Sequence, residues 1–269
     1  MVRPVPGIVR VTGAGATLAV HVRGEGPPIL FVHGFPLDHA MWSHQLAALE
    51  RWRCIAPDLR GAGDSDVPSE DYTMGRYADD LRAACDALDV ADAVCCGFSM
   101  GGYVLFEFLR RYRSRVRALV LCDTRPEADT AEGKRARDDN AALVEHDGVG
   151  ALADRVVPKL FGATTRAGRP ELVEQVPEMA RRQPAAGVIG ALRAMRDRPD
   201  STALLSGITV PTLVVHGAED EVVPPAIARA MAARIPGARY VEVGGAGHLT
   251  PLEQPEQVTR ALQELLAEL

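Results

Sequence analysis

Along this chain, short unbroken apolar runs alternate with longer segments in which apolar residues recur every three or four positions. The runs Ile29–Val32, Cys54–Ala56, Ala93–Cys96, Ala118–Cys122, Thr212–Val215 and Tyr240–Val243 are each followed within two residues by Gly, Pro or Asp. A strand that is apolar at every position is buried on both faces, and that environment exists inside a parallel sheet covered by helices. The segments between the runs predict helices over Met41–Glu50, Met74–Leu88, Met100–Tyr112 and Pro255–Leu266. In the second of these, Tyr77, Leu81, Ala84, Cys85 and Leu88 fall on one face; in the last, Val258, Leu262, Leu265 and Leu266 form the stripe. Strand and helix in alternation give an α/β class with a mostly parallel sheet flanked by helices.

One stretch breaks the alternation. From Arg125 to Ile208 there is no strand pattern, only Ala-, Arg-, Glu- and Asp-rich helical spacing punctuated by Pro158, Pro170, Pro177, Pro184 and Pro199. It reads as an all-helical insertion over 125–208, between core segments 1–124 and 209–269; the alternative is a set of enlarged connecting helices. No internal repeat is present.

Composition bounds the picture further. At 269 residues and 47% hydrophobic, the chain can bury a large core without disulfides or a structural metal. Thirty-six acidic and 30 basic residues give a net charge of -6, which argues against a nucleic-acid partner. The five cysteines, at 54, 85, 95, 96 and 122, lie in apolar or helical patterns with no CxxC pair. They read as small buried hydrophobes in a reducing compartment. No apolar run approaches the length of a membrane span, and Met1–Gly7 lacks a signal-peptide core. A soluble, cytoplasmic protein with a small-molecule partner is therefore expected, with no membrane partner; oligomeric state leaves no mark on the sequence.

The chemistry centres on Gly97-Phe98-Ser99-Met100-Gly101, a G-x-S-x-G pattern with a strand running in and an apolar-periodic helix running out. A serine projected from so tight a turn needs neighbours without side chains, because a Cβ there would strike the adjoining strand and helix. A serine nucleophile needs a base, and the base needs an acid to orient it. Downstream, Asp220 follows the run ending at Val215, and His248 follows the run ending at Val243. Both lie at the carboxyl ends of strands, where parallel strands bring side chains together. Glu219, Glu221 and Asp123 are rivals for the acid, Asp123 because it ends a strand and could also reach a histidine. Among the other histidines, His21, His39, His44 and His146 read as surface or packing residues, His216 as packing, and His33 as a brace for its loop. The developing oxyanion would be held by backbone N–H groups of Met100 and of Phe35, in His33-Gly34-Phe35-Pro36, where Pro36 has no N–H to give. Phe98 and Asp123, with Phe35 and Met100, are expected near the floor of the pocket. Asp58 to Ser65 has glycines but no G-K-[ST] ending, so it reads as a structural turn rather than a nucleotide loop. No metal or organic cofactor is called for.

Together, His33–Pro36, Asp58–Ser65, Gly97–Gly102, His216–Asp220 and Gly247-His248 resemble the α/β-hydrolase superfamily. The resemblance spans Ile29–Asp123 and Val210–Leu269. It implies an eight-stranded sheet with a helical cap after the sixth strand. Within the superfamily the chain is most similar to small bacterial carboxylesterases, 3-oxoadipate enol-lactonases and cofactor-free haloperoxidases (perhydrolases). Dehalogenase relatives carry aspartate at the nucleophile position, and Ser99 departs from that; epoxide hydrolases are disfavoured on the same ground. The implied reaction is acyl transfer on a small ester, with a lactone as the alternative substrate. A peroxide side reaction would need peroxide in place of water at the acyl-enzyme. A non-catalytic receptor on this fold would have no use for Ser99, Asp220 and His248 together.

Overall fold

The computed structural model describes residues 7–13, 15–69 and 72–269; residues 1–6, within the segment read for a signal peptide, lie outside them. Eight strands form one sheet: β1 (Gly7–Thr12), β2 (Thr17–Arg23), β3 (Pro28–Val32), β4 (Arg53–Pro57), β5 (Ala93–Phe98), β6 (Val116–Cys122), β7 (Thr212–Gly217) and β8 (Arg239–Val243). Their order is β1-β2-β4-β3-β5-β6-β7-β8. All neighbours from β4 to β8 pair parallel, whereas β2 runs antiparallel to β1 and β4.

The unbroken apolar runs became the central strands for the expected reason. Every residue of β5 and β7 is buried. Successive residues point to opposite faces, so each face draws on alternate positions. Leu30, Cys95, Leu119, Leu121 and Val214 join one hydrophobic cluster, with Tyr77, Leu81 and Val104 from the helices Met74–Ala87 and Met100–Arg111. Ile29, Phe31, Val94, Cys96, Val120 and Val215 join the other, with Val258, Leu262 and Leu265 from the helix Pro255–Leu266. All five cysteines are free and buried.

Two strands have no counterpart among the apolar runs. β1 is largely solvent-exposed, and β2 carries a polar His21 and an exposed Arg23, so neither reads as continuously apolar. They form the antiparallel margin of the sheet, where one face meets water. The helix expected over Met41–Glu50 divides into a 3-10 turn, His39–Trp42, and a short helix, Ser43–Ala48. The Asp38 side chain accepts the N–H of Ala40 and so starts the chain in the tighter turn.

Between β6 and β7 the chain forms helices only; the longest, Ala131–Val156, packs on Ala185–Arg196. This segment is continuous with both core clusters: Val144 and Leu152 enter one, Val157, Phe161 and Val176 the other. It meets the core so closely at Gly187 that a Cβ there would lie 1.9 Å from the Gly61 carbonyl oxygen. Among the described residues no helix is long and apolar enough to cross a membrane.

The Gly187 contact is directly testable. Gly187→Ala forces two backbones apart and should cost about 2 kcal/mol, as overpacking does. Thermal unfolding followed by circular dichroism should show a Tm roughly 5 °C lower; an unchanged Tm would mean that the contact is slack.

Candidate active site

β5 ends at Phe98, and the helix Met100–Arg111 begins one residue later, so Ser99 alone makes the turn. Its backbone sits at φ 50°, ψ -111°, a region that ordinary residues avoid. Several contacts hold it there. The Ser99 N–H donates to Cys122 O at 2.9 Å, and the Ser99 carbonyl accepts from Gly102 N at 2.9 Å and from Thr124 Oγ1 at 2.8 Å. A Cβ at Gly101 would sit 2.2 Å from Val32 O, and one at Gly97 would sit 2.7 Å from Gly101 O. The turn closes only because those two positions are glycine.

Around Ser99 the structure assembles a hydrogen-bonded chain. Ser99 Oγ lies 2.9 Å from His248 Nε2. His248 Nδ1 donates to Asp220 Oδ2 at 2.7 Å, which leaves Nε2 with its lone pair toward the hydroxyl. Asp220 Oδ1 accepts the N–H groups of Val222 and Val223 at 2.8 and 2.9 Å. Burial by itself would raise the Asp220 pKa. His248 beside it and the hydrogen bonds it accepts outweigh that effect and hold it well below the usual carboxylate range. The rival acids do not reach His248. Asp123 is engaged elsewhere, and Glu219 turns outward to Thr164.

The two backbone donors expected to face the oxyanion are both unclaimed: among the described residues nothing accepts the N–H of Phe35 or of Met100. His33 braces the Phe35 loop. Its Nδ1 donates to Gly34 O at 3.0 Å, and its Nε2 accepts from Leu59 N at 2.9 Å. Asp58 ties down the next loop, accepting from His39 N at 2.9 Å and Asp64 N at 3.0 Å. The His21 and His39 rings stack above it.

Ser99 and His248 open on a cavity of about 210 Å³. Phe35, Pro36 and Tyr103 line its core side, and Arg137, Asn140, Lys159, Leu160 and Met195 its helical side. Phe35 thus lies where the sequence suggested. Phe98, Met100 and Asp123 do not line this cavity, contrary to expectation. Phe98 points to the opposite face of the sheet with Val94 and Cys96, its ring packed 5.4 Å from that of His248. Asp123 is fully buried and accepts hydrogen bonds from Gly217 N and from the Thr250 hydroxyl at 3.0 and 2.5 Å.

Two positioning groups escaped the sequence reading. His216 packs, as expected, but also touches the acid: its Nε2 lies 3.2 Å from Asp220 Oδ2 and donates to Val223 O at 2.7 Å. Its Nδ1 lies 3.8 Å from Asp123 Oδ1. Burial lowers the His216 pKa, but Asp220 and Asp123 more than restore it, and burial pushes Asp123 up. Glu253, buried on the helical turn Thr250–Glu253, accepts the N–H groups of Gly247 at 2.9 Å, Leu249 at 3.0 Å and Gly162 at 2.8 Å. One carboxylate therefore fixes the loop on either side of His248 and ties it to the helical segment. The only sequence signal for either residue was its nearness to a strand end or to His248.

The residues 27–255 match the model of the alpha/beta hydrolase fold family, and the chain belongs to it. Among proteins it resembles, a thermophilic esterase from Thermogutta terrifontis, solved with malate bound, is 42% identical with a TM-score of 0.94, over 97% of this chain and 98% of that one. The 3-oxoadipate enol-lactonase 1 of Acinetobacter baylyi is 30% identical over 90% of both chains. A non-heme chloroperoxidase of Kitasatospora aureofaciens is 31% identical over 90% of this chain and 93% of that one. The class is thus a hydrolase with esterase and lactonase neighbours.

Two measurements check the electrostatics. Glu253→Gln turns an amide toward N–H donors and should lower unfolding stability by about 2–3 kcal/mol in urea titrations; no change would deny the carboxylate its structural role. Asp220 has a depressed folded-state pKa, so its stabilisation is present above its unfolded value of about 3.9 and is lost as pH falls toward the folded one. The stability gap between wild type and Asp220→Asn should therefore be widest near neutral pH and narrow below about pH 4. A gap that stays constant with pH would contradict the shift.

Proposed function

We propose that the chain is a serine hydrolase that cleaves carboxylic esters of small acyl substrates through an acyl-enzyme on Ser99. The observation that carries this reading is the hydrogen-bonded chain Ser99–His248–Asp220, opening on a cavity beside two unclaimed N–H groups. In this mechanism His248 takes the Ser99 proton as Oγ attacks the ester carbonyl. The resulting alkoxide is stabilised by the N–H groups of Phe35 and Met100, each worth about 3–4 kcal/mol. His248 then protonates the leaving alcohol. Water, deprotonated by His248, attacks the acyl-enzyme and releases the acid and the free serine. Asp220 keeps His248 in the required tautomer and stabilises its charged form.

Residues 125–208 act as a cap in this reading, since Arg137, Asn140, Lys159 and Met195 form the outer wall of the cavity. A lactone is the second reading. It is favoured by the Acinetobacter baylyi enol-lactonase and by the enol-lactonase of Burkholderia xenovorans, a structure 29% identical with a TM-score of 0.90. The bond cleaved is the same carboxylic ester, closed into a ring.

The test is hydrolysis of p-nitrophenyl esters from acetate to decanoate, with a lactone panel in parallel. Ser99→Ala should lose at least about 10³-fold in kcat while its circular dichroism stays native. A Ser99→Ala protein as active as wild type would overturn the mechanism. Activity confined to the lactones would select the second reading.

A further inference from the structure

The wall of the cavity facing Ser99 is electrostatically one-sided. Arg137 and Lys159 line it, and among the described residues no carboxylate does. Arg137 and Asn140 stand three residues apart on the helix Ala131–Val156 and so share a face. Lys159 comes from the turn Val157–Leu160, whose last carbonyl accepts the His248 N–H at 2.7 Å. The ammonium-bearing turn is thus anchored directly to the residue that would move the proton.

The positive charge is cancelled only in part. Among the described residues, Asp129 is the carboxylate that pairs with this cluster, and it serves two guanidiniums: Arg137 Nε at 3.1 Å and Arg198 Nη1 at 2.7 Å. Arg198 in turn lies over the ring of Tyr103, 4.2 Å from its centroid, and Tyr103 lines the cavity. Lys159 makes no ion pair among the described residues. Asn140 Oδ1 is buried without a hydrogen-bond partner, and an amide can turn its N–H₂ toward a ligand in its place. Two cations and an unpartnered amide lining a cavity this small, with no carboxylate among the described lining residues, fit an anion.

The geometry points to a substrate bearing a free carboxylate remote from its scissile ester, such as a dicarboxylic hemiester, with Arg137, Lys159 and Asn140 holding that carboxylate under the cap. This rests on the serine-hydrolase reading for the chemistry, though not for the binding. Arg137 and Lys159 are then specificity residues: they act on substrate capture, and their effect falls on KM more than on kcat.

The experiment compares mono-p-nitrophenyl glutarate with its neutral counterpart, p-nitrophenyl pentanoate, on the full chain. Wild type should favour the anionic ester in kcat/KM by about tenfold at low salt, a preference that shrinks as ionic strength rises. Lys159→Gln, an exposed position with no structural partner, should cut that ratio several-fold, mainly through KM. Arg137→Lys should keep most of the preference, whereas Arg137→Gln should lose it, and Lys159→Glu should reverse it. Calorimetric titration of glutarate into Ser99→Ala gives a readout independent of turnover. Binding should appear there and vanish when Arg137→Gln and Lys159→Gln are added. If pentanoate is cleaved as well as the glutarate ester and glutarate does not bind, the inference is wrong while the hydrolase reading stands. If neither ester is cleaved but glutarate binds in a Lys159-dependent way, the hydrolase reading fails and the anion site stands.

Discussion

Ser99 at φ 50° is the constraint on which the rest of the site depends. A non-glycine residue held in such a region stores on the order of 1–3 kcal/mol of strain, and it persists only where its surroundings over-determine it. Here they do. β5 delivers the chain, β6 accepts the serine N–H, Thr124 and Gly102 claim its carbonyl, and the missing side chains of Gly97 and Gly101 let strand, turn and helix approach within backbone contact. A parallel sheet buried on both faces is what makes this possible. It fixes β3, β5 and β6 side by side, and their carboxyl ends present Phe35, Ser99 and Thr124 to one edge. The loop after β7 and the loop after β8 arrive at the same edge and carry Asp220 and His248.

Behind these loops lies a second layer of buried ionisable groups. Asp220, His216, Asp123 and Glu253 are each 4% exposed or less, and an unpaired charge so deep would be costly. Each carboxylate is therefore spent on several N–H or O–H donors: Asp220 on Val222, Val223 and His248, Asp123 on Gly217 and Thr250, Glu253 on Gly162, Gly247 and Leu249. The result is a rigid seat for an imidazole that must hold one tautomer and one orientation. His216 shares the Asp220 carboxylate with His248, so the acid stays ionised although it is out of water.

The helical segment is bound into this arrangement rather than resting on it. Leu160 O takes the His248 N–H, and Gly162 N reaches Glu253. A Cβ at Gly162 would lie 2.6 Å from Gly247 N. The backbone that carries Lys159 and the backbone that carries His248 are therefore in direct contact. The wall of the cavity that carries Lys159 is thus hydrogen-bonded to the loop of His248.

Much of this was legible in the residues alone, and the reason is locality. The central strands, the Ser99 turn, the helix Pro255–Leu266 and the strandless stretch after β6 are set by patterns a few residues long: unbroken apolar runs, glycine spacing, helical periodicity. The loop positions of Asp220 and His248 follow from strand ends in the same way. What depended on contacts between distant residues was not legible. β1 and β2 are strands because they pair with each other and with β4, not because they are apolar. Phe98 left the pocket because alternation along β5 points it to the opposite face, and Asp123 left it because Gly217 and Thr250, 94 and 127 residues away, claim its oxygens. The same holds for Glu253 bonding Gly162, and for which cap residues face Ser99. The sequence by itself determined a parallel sheet and the chemical groups at its edge. Only the tertiary structure decided which of those groups touch, because hydrogen bonds and cavity walls are made between chain segments whose separation no local pattern encodes.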